Sequence, residues 1–138
     1  MRWVRLPLVI LMGLMLIYDG YGLAERLAVP LTFVQSGVAS WYGCEQHGNL
    51  TANGETFNRH KFTAASRHLP FNTVVRVTNE KNGRSANVRI NDRGPYAKGR
   101  VLDLSEAAAK SLDMKASGTA PVKIEMVQPA SAQAPISP

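Results

Sequence analysis

Ser85-Ala-Asn-Val-Arg-Ile-Asn-Asp-Arg-Gly-Pro95 sets apolar Ala86, Val88 and Ile90 at alternate positions and then runs into a loop of Asn91, Asp92, Gly94 and Pro95. A two-residue period is that of a half-buried strand, one face in a core and the other outside. The loop puts an acid, Asp92, at a strand end among residues suited to unusual backbone, and such loops often carry function. Asp also bonds the amides of its own turn readily, so the local sequence leaves both readings open.

Working outward, residues 73–78 read as a partner strand, joined through Asn79-Glu-Lys-Asn-Gly-Arg84, whose Asn82-Gly83 favours the positive φ of a tight hairpin. Residues 37–42, 101–104 and 122–127 read as further strands, the last through alternating Val122, Ile124 and Met126. Ser105 is a predicted N-cap for a short alanine-rich helix over 106–112, with Glu106 beside the positive end of its dipole. Gly118 marks the return to strand. Five or six short strands with one or two small helices in about 90 residues predict a small closed barrel, with a two-sheet sandwich as the alternative.

The whole chain has 138 residues, 45% hydrophobic and 19% charged, with a formal charge of +6. That length holds one compact domain and excludes a TIM barrel or a full dinucleotide-binding enzyme. At the N-terminus, Arg2 and Arg5 precede an uncharged apolar run over residues 6–18. As a helix this run rises only about 20 Å, short of the ~30 Å of bilayer hydrocarbon. Residues 1–24 therefore read as a secretory signal cut after Ala24, with an uncleaved anchor as the alternative. Residues 25–35 form a lead-in, 36–128 the folded unit, and 129–138, uncharged and proline-rich, a disordered tail.

Removing 1–24 leaves 14 basic and 9 acidic side chains, a charge of +5 gathered mostly between Arg59 and Arg100. An anionic partner is implied. For an exported protein a cell-wall glycan or an anionic membrane surface fits, and nucleic acid does not. The single Cys44 forms no internal disulfide, and His47 three residues away does not make it a convincing nucleophile. His47, His60 and His68 lack metal-ligand spacing, so no metal is expected.

In order, Gly37-Val-Ala-Ser-Trp-Tyr-Gly43, Thr51-Ala-Asn-Gly-Glu55, Phe62-Thr-Ala-Ala65, Val75-Arg-Val-Thr-Asn79, Val88-Arg-Ile-Asn-Asp-Arg-Gly-Pro95 and Gly99-Arg-Val-Leu-Asp-Leu-Ser105 resemble the rare lipoprotein A family of septal ring lytic transglycosylases. The resemblance covers roughly residues 36–127. It implies a mainly β fold, a six-stranded double-psi β-barrel, and an endolytic peptidoglycan lytic transglycosylase. Such a lyase cleaves the bond between N-acetylmuramic acid and N-acetylglucosamine in glycan strands stripped of stem peptides, leaving 1,6-anhydro-muramic ends. The alternative is a non-catalytic wall-binding or expansin-like loosening module. No cofactor is implied, the expected partners are glycan strands and division-site proteins, and a monomer is expected.

The resemblance assigns the catalytic Asp to Asp92 and the functionally important Glu to Glu55. The acid must be protonated near neutral pH, which calls for desolvation or a neighbouring carboxylate to raise it. Asp92 is the expected acid/base with Glu55 as its perturbing or charge-stabilising partner; the reverse assignment is also open. Where the family usually has Thr-Ala-Ala-His, this chain has Ser66, and His68 shares its side-chain direction if that stretch is extended. Trp41 and Tyr42 are candidate sugar platforms, one on each strand face. Arg89 and Arg93 are candidates for carboxylates of the wall, or for internal pairing with Asp103 or Glu106. With no Cys directly after the apolar run, the expected product is not a lipoprotein but a free periplasmic or secreted protein.

Overall fold

The computed structural model describes residues 33–130. The expected signal segment 1–24, most of the lead-in and residues 131–138 of the expected tail lie outside the described residues. Six strands and one helix follow in order: β1 Val34–Tyr42, β2 Thr63–Ala65, β3 Val74–Asn79, β4 Ser85–Asp92, β5 Arg100–Ser105, α1 Glu106–Ser111 and β6 Thr119–Gln128.

The strands close into a barrel in the order β1-β5-β2-β4-β3-β6. β1 with β5 and β2 with β4 are parallel, and the remaining neighbours are antiparallel. This is the six-stranded double-psi arrangement that the resemblance implies, and closure rules out the sandwich. Ala39, Val75, Val77, Val88, Ile90, Leu102, Leu104, Val122 and Ile124 fill the interior, each at most 1% exposed. Leu112 and Met114, just beyond α1, are buried with them. Gly37 is required where β1 passes β5: a Cβ there would lie 2.5 Å from Val101 Cγ1.

The β3–β4 connection forms as its sequence predicts. Gly83 takes φ 75°, its amide donates to the Asn79 carbonyl at 2.8 Å, and Asn79 Oδ1 accepts the Lys81 amide at 3.0 Å. Ser105 caps α1 by accepting the Ala108 amide, with Glu106 in the first turn.

Two strand starts differ from the sequence reading by three residues. β1 starts at Val34, inside the expected lead-in, and β6 starts at Thr119, because each zips antiparallel along the other from Val34–Glu125 to Ser40–Thr119. β2 has no predicted counterpart. Its three small residues are all buried between β4 and β5, so no polar-apolar alternation marks it.

Candidate active site

Asp92 ends β4, and a bulge there sets up the site. β2 and β4 run in register from Thr63–Arg89 to Ala64–Ile90, and then Ala65 faces Asp92, leaving Asn91 as the extra residue. A bulge of this kind re-aims side chains at a strand end. The turn over residues 51–55 docks against it: the Asn53 amide donates to the Asn91 carbonyl at 3.3 Å, and the Ala52 amide donates to Asp92 Oδ1 at 2.9 Å. The Arg93 amide reaches the same oxygen at 2.8 Å. Oδ1 thus does what an Asp in a turn does, while Oδ2 takes no hydrogen bond from the described residues.

Glu55 is brought to the same place but in a different condition. Arg89, on β4, grips both its oxygens, at 2.6 and 2.7 Å. Asn53 Nδ2 adds a bond at 2.9 Å and Asn91 Nδ2 one at 3.4 Å. The Arg89 hydrogen bonds and, after the opposing effect of burial, those of Asn53 pull its pKa down from 4.5 to about 2. A bidentate guanidinium holds a carboxylate in its charged form. Glu55 thus carries the donors of an ionised carboxylate, which weigh against its serving as the proton donor.

The arginines expected to face ligand are turned inward. Arg89 serves Glu55 and, through Nη1, Asn72 Oδ1 at 3.1 Å. Arg93 donates to the carbonyls of Ser66 and Leu69 at 3.1 and 3.0 Å and lies 3.7 Å over the Phe71 ring. Neither pairs with Asp103 or Glu106: Arg100 lies 3.6 Å from Asp103, and Arg59, Lys110 and Lys115 surround Glu106. Both arginines fix the loops around Asp92, a role that the positive charge count alone does not distinguish from ligand binding.

Ser66 lies beside Asp92, its amide donating to the Asp92 carbonyl at 3.1 Å. Its hydroxyl oxygen, however, accepts the amides of His68 and Leu69 at 3.3 and 3.1 Å. The stretch is a bend, not extended, so the condition for His68 to share the direction of Ser66 fails; Ser66 is buried and His68 exposed. Cys44 is exposed and contacts Arg59 Nη1 at 2.7 Å, while His47 Nδ1 accepts the Arg59 amide.

Trp41 and Tyr42 separate as alternation requires. Trp41 packs against the core edge and donates its indole N–H to the Lys115 carbonyl at 3.2 Å. A cavity of about 450 Å³ there is lined by Trp41, Lys110, Asp113, Lys115 and Ala116. Tyr42 packs against Phe57 with ring centroids 4.7 Å apart and the ring planes tilted by 39°. Its hydroxyl is buried and has no hydrogen-bond partner among the described residues. Burial pushes the phenol pKa up, and the charges of Asp92 and then Asp103 push it the same way.

Asp103, which the sequence reading named only as a candidate partner of Arg89 or Arg93, lies in the same row of the sheet as Asp92. Ala65 is the registered neighbour of Asp92 on one side and of Asp103 on the other, and Asp103 is in turn opposite Ser40, whose hydroxyl donates to it. With strands about 4.8 Å apart, the two aspartate Cα atoms lie roughly 10 Å from each other. The signal was present in Leu102-Asp103-Leu104, where an acid occupies the outward position between two fully buried leucines.

Known proteins resemble this arrangement in sequence and in fold. The family described as lytic transglycolase matches residues 34–124. The chain is 54% identical over 91 residues to an endolytic peptidoglycan transglycosylase RlpA of Campylobacter jejuni, 66% of this chain and 33% of that protein. It is 50% identical over 98 residues to the protein of the same name in Vibrio cholerae, 71% of this chain and 37% of that one. The chain thus spans about a third of the length of the curated relatives it matches. Among solved structures, a Streptomyces papain inhibitor superposes with a TM-score of 0.59 at 21% identity, over 72% of this chain and 99% of its own. An expansin of Clavibacter michiganensis gives 0.56 at 21%, over 77% of this chain and 54% of its own. At that identity the likeness is one of fold.

Proposed function

The chain belongs to the lytic transglycolase family, and on that premise we propose that its barrel cleaves peptidoglycan glycan strands by lytic transglycosylation, outside the cytoplasm. The substrate is the glycan free of stem peptides, and the product ends in 1,6-anhydro-N-acetylmuramic acid. The relatives' names support the reaction class. The single observation that carries the residue assignment is the contrast between the two acids: Glu55 is held ionised by Arg89, while Asp92 keeps one oxygen open.

Asp92, protonated, gives its proton to the glycosidic oxygen as the bond from the muramic C1 breaks. The muramic C6 hydroxyl then attacks C1 and returns its proton to the Asp92 carboxylate. Atoms balance without water, so no second carboxylate is needed to activate one, unlike an inverting hydrolase. The fixed charge of Glu55 can help stabilise the oxocarbenium-like transition state, and it ties the 51–55 turn to β4. That turn supplies one of the amides holding Asp92.

Digestion of stem-peptide-free strands followed by mass spectrometry tests the proposal. Anhydro-muramic ends are expected with the wild type and should be lost in Asp92→Asn. Intact strands that remain bound would favour the wall-binding reading. The observation on that side is that the Ser66 hydroxyl is committed to backbone amides and supplies no titrating group.

A further inference from the structure

Trp41 takes no part in the chemistry proposed for Asp92, yet it stands between two hollows. One is the cavity of about 450 Å³ lined by Trp41, Lys110, Asp113, Lys115 and Ala116. The other, of about 350 Å³, is lined by Trp41, Tyr42 and residues 43–46. Both are of the size of small-ligand sites. The indole is held in place: its N–H donates to the Lys115 carbonyl at 3.2 Å, and the chain passes so close that a Cβ on Gly43 would lie 2.9 Å from Trp41 Cζ3. It is only half-buried, so part of the ring meets solvent.

The charges around the first cavity do not balance. Lys115 Nζ lies 5.6 Å from the ring centroid and donates to Glu106 Oε1 at 2.6 Å, which occupies one of its three N–H groups. Lys110 Nζ is 3.6 Å from the same oxygen, an ion pair without a hydrogen bond, on a side chain 61% exposed. Arg59 also faces Glu106. Three cations share that carboxylate, and after Asp113, the one acid lining the cavity, a net positive charge remains.

We propose that this cavity is a subsite for an acidic sugar of the glycan strand, the pyranose face lying on Trp41 and a carboxylate reaching the ammonium groups of Lys110 and Lys115. The inference rests on the proposed function for the identity of the ligand. A pyranose has an apolar C–H face and a polar rim, and a fixed indole bordered by charged groups matches both. The muramic residue brings the carboxylate, since its lactyl group ends in a free acid once the stem peptide is gone. Neutral N-acetylglucosamine offers the lysines no charge. Ser40, beside Trp41, is three strand steps from Asp92 through Asp103 and Ala65, about 14 Å along the sheet. A strand seated at Asp92 thus has another of its sugars available for Trp41, away from the bond that is cut.

Binding is read in the full chain carrying Asp92→Asn, which keeps strands intact, and Trp3→Phe, which leaves Trp41 as the sole tryptophan. Stem-peptide-free strands should shift the Trp41 emission at saturation. Lys110→Gln should weaken their binding about tenfold while leaving the affinity for an oligomer of N-acetylglucosamine unchanged. Strands whose muramic carboxyls have been amidated should bind the parent at least as weakly, a test of the same contact with no change to the protein. Absent binding, unshifted emission, amidated strands that bind as tightly as native ones, or a loss in Lys110→Gln that is nil or equal for acidic and neutral oligomers overturns the proposal. Any of these results alongside normal cleavage by the wild type ends this inference alone. The expected binding without anhydro-muramic products from the wild type ends the lytic reading alone.

Discussion

Glu55 and Asp92 are two carboxylates of one site that the fold treats in opposite ways. Glu55 receives a guanidinium on both oxygens and two amide side chains. Asp92 receives two backbone amides on one oxygen and, among the described residues, nothing on the other. A bidentate guanidinium fixes Glu55 as an anion, whereas two backbone amides on one oxygen fix the position of Asp92 and leave its other oxygen without a hydrogen bond from the described residues. Closeness to the reaction centre therefore does not make two acids equivalent; the character of the donors around them does.

The sharpest way to break this contrast is to remove each acid's ionisation in turn. Asp92→Asn should lower cleavage about 10³-fold, as expected for loss of a general acid. Glu55→Gln should cost less, about 10- to 100-fold, since it removes an anchor and a fixed charge but no proton transfer. Rates on the same glycan strands decide it, and an equal or larger loss in Glu55→Gln would reverse the assignment.

Arg89→Met tests the cause of Glu55's state. A lowered folded pKa contributes stability that is present above the unfolded value of 4.5 and fades as pH falls through about 2. Urea unfolding midpoints of the wild type should decline across that window, and the decline should be shallower in Arg89→Met, where Glu55 titrates nearer its ordinary value. Matching pH profiles would mean that Arg89 is not what holds Glu55 ionised. The smallest expected effect is that of Ser66→Ala. It removes an acceptor for two amides, at about 1 kcal/mol, and should lower the melting temperature by roughly 4 to 8 °C with cleavage retained. Loss of cleavage without loss of stability would place the hydroxyl in the chemistry.

How far the site could be read from sequence depended on the distance over which each fact is encoded. Asp92 was legible because a strand end and its loop are local, and so was the hairpin through Asn82-Gly83. The Glu55–Arg89 pair was not, because 34 residues separate the partners and several basic residues compete for the same acid on paper. Asp103 carried a local signal, an acid between buried leucines, but its relation to Asp92 passes through Ala65 on a strand too short to recognise.

The amino-acid sequence by itself determined the elements with a period: the alternating strands, the Ser105-capped helix, the Gly83 turn and the acid at the end of β4. These follow from neighbours along the chain, whose spacing alone decides which face is buried. Only the tertiary structure decided that the sheet closes and that Glu55 stays charged. It alone aligned Ser40, Asp103, Ala65 and Asp92 in one row and buried the Tyr42 hydroxyl without a hydrogen-bond partner among the described residues. Those depend on strand register and on which distant donor reaches which oxygen, and neither is written in local periodicity.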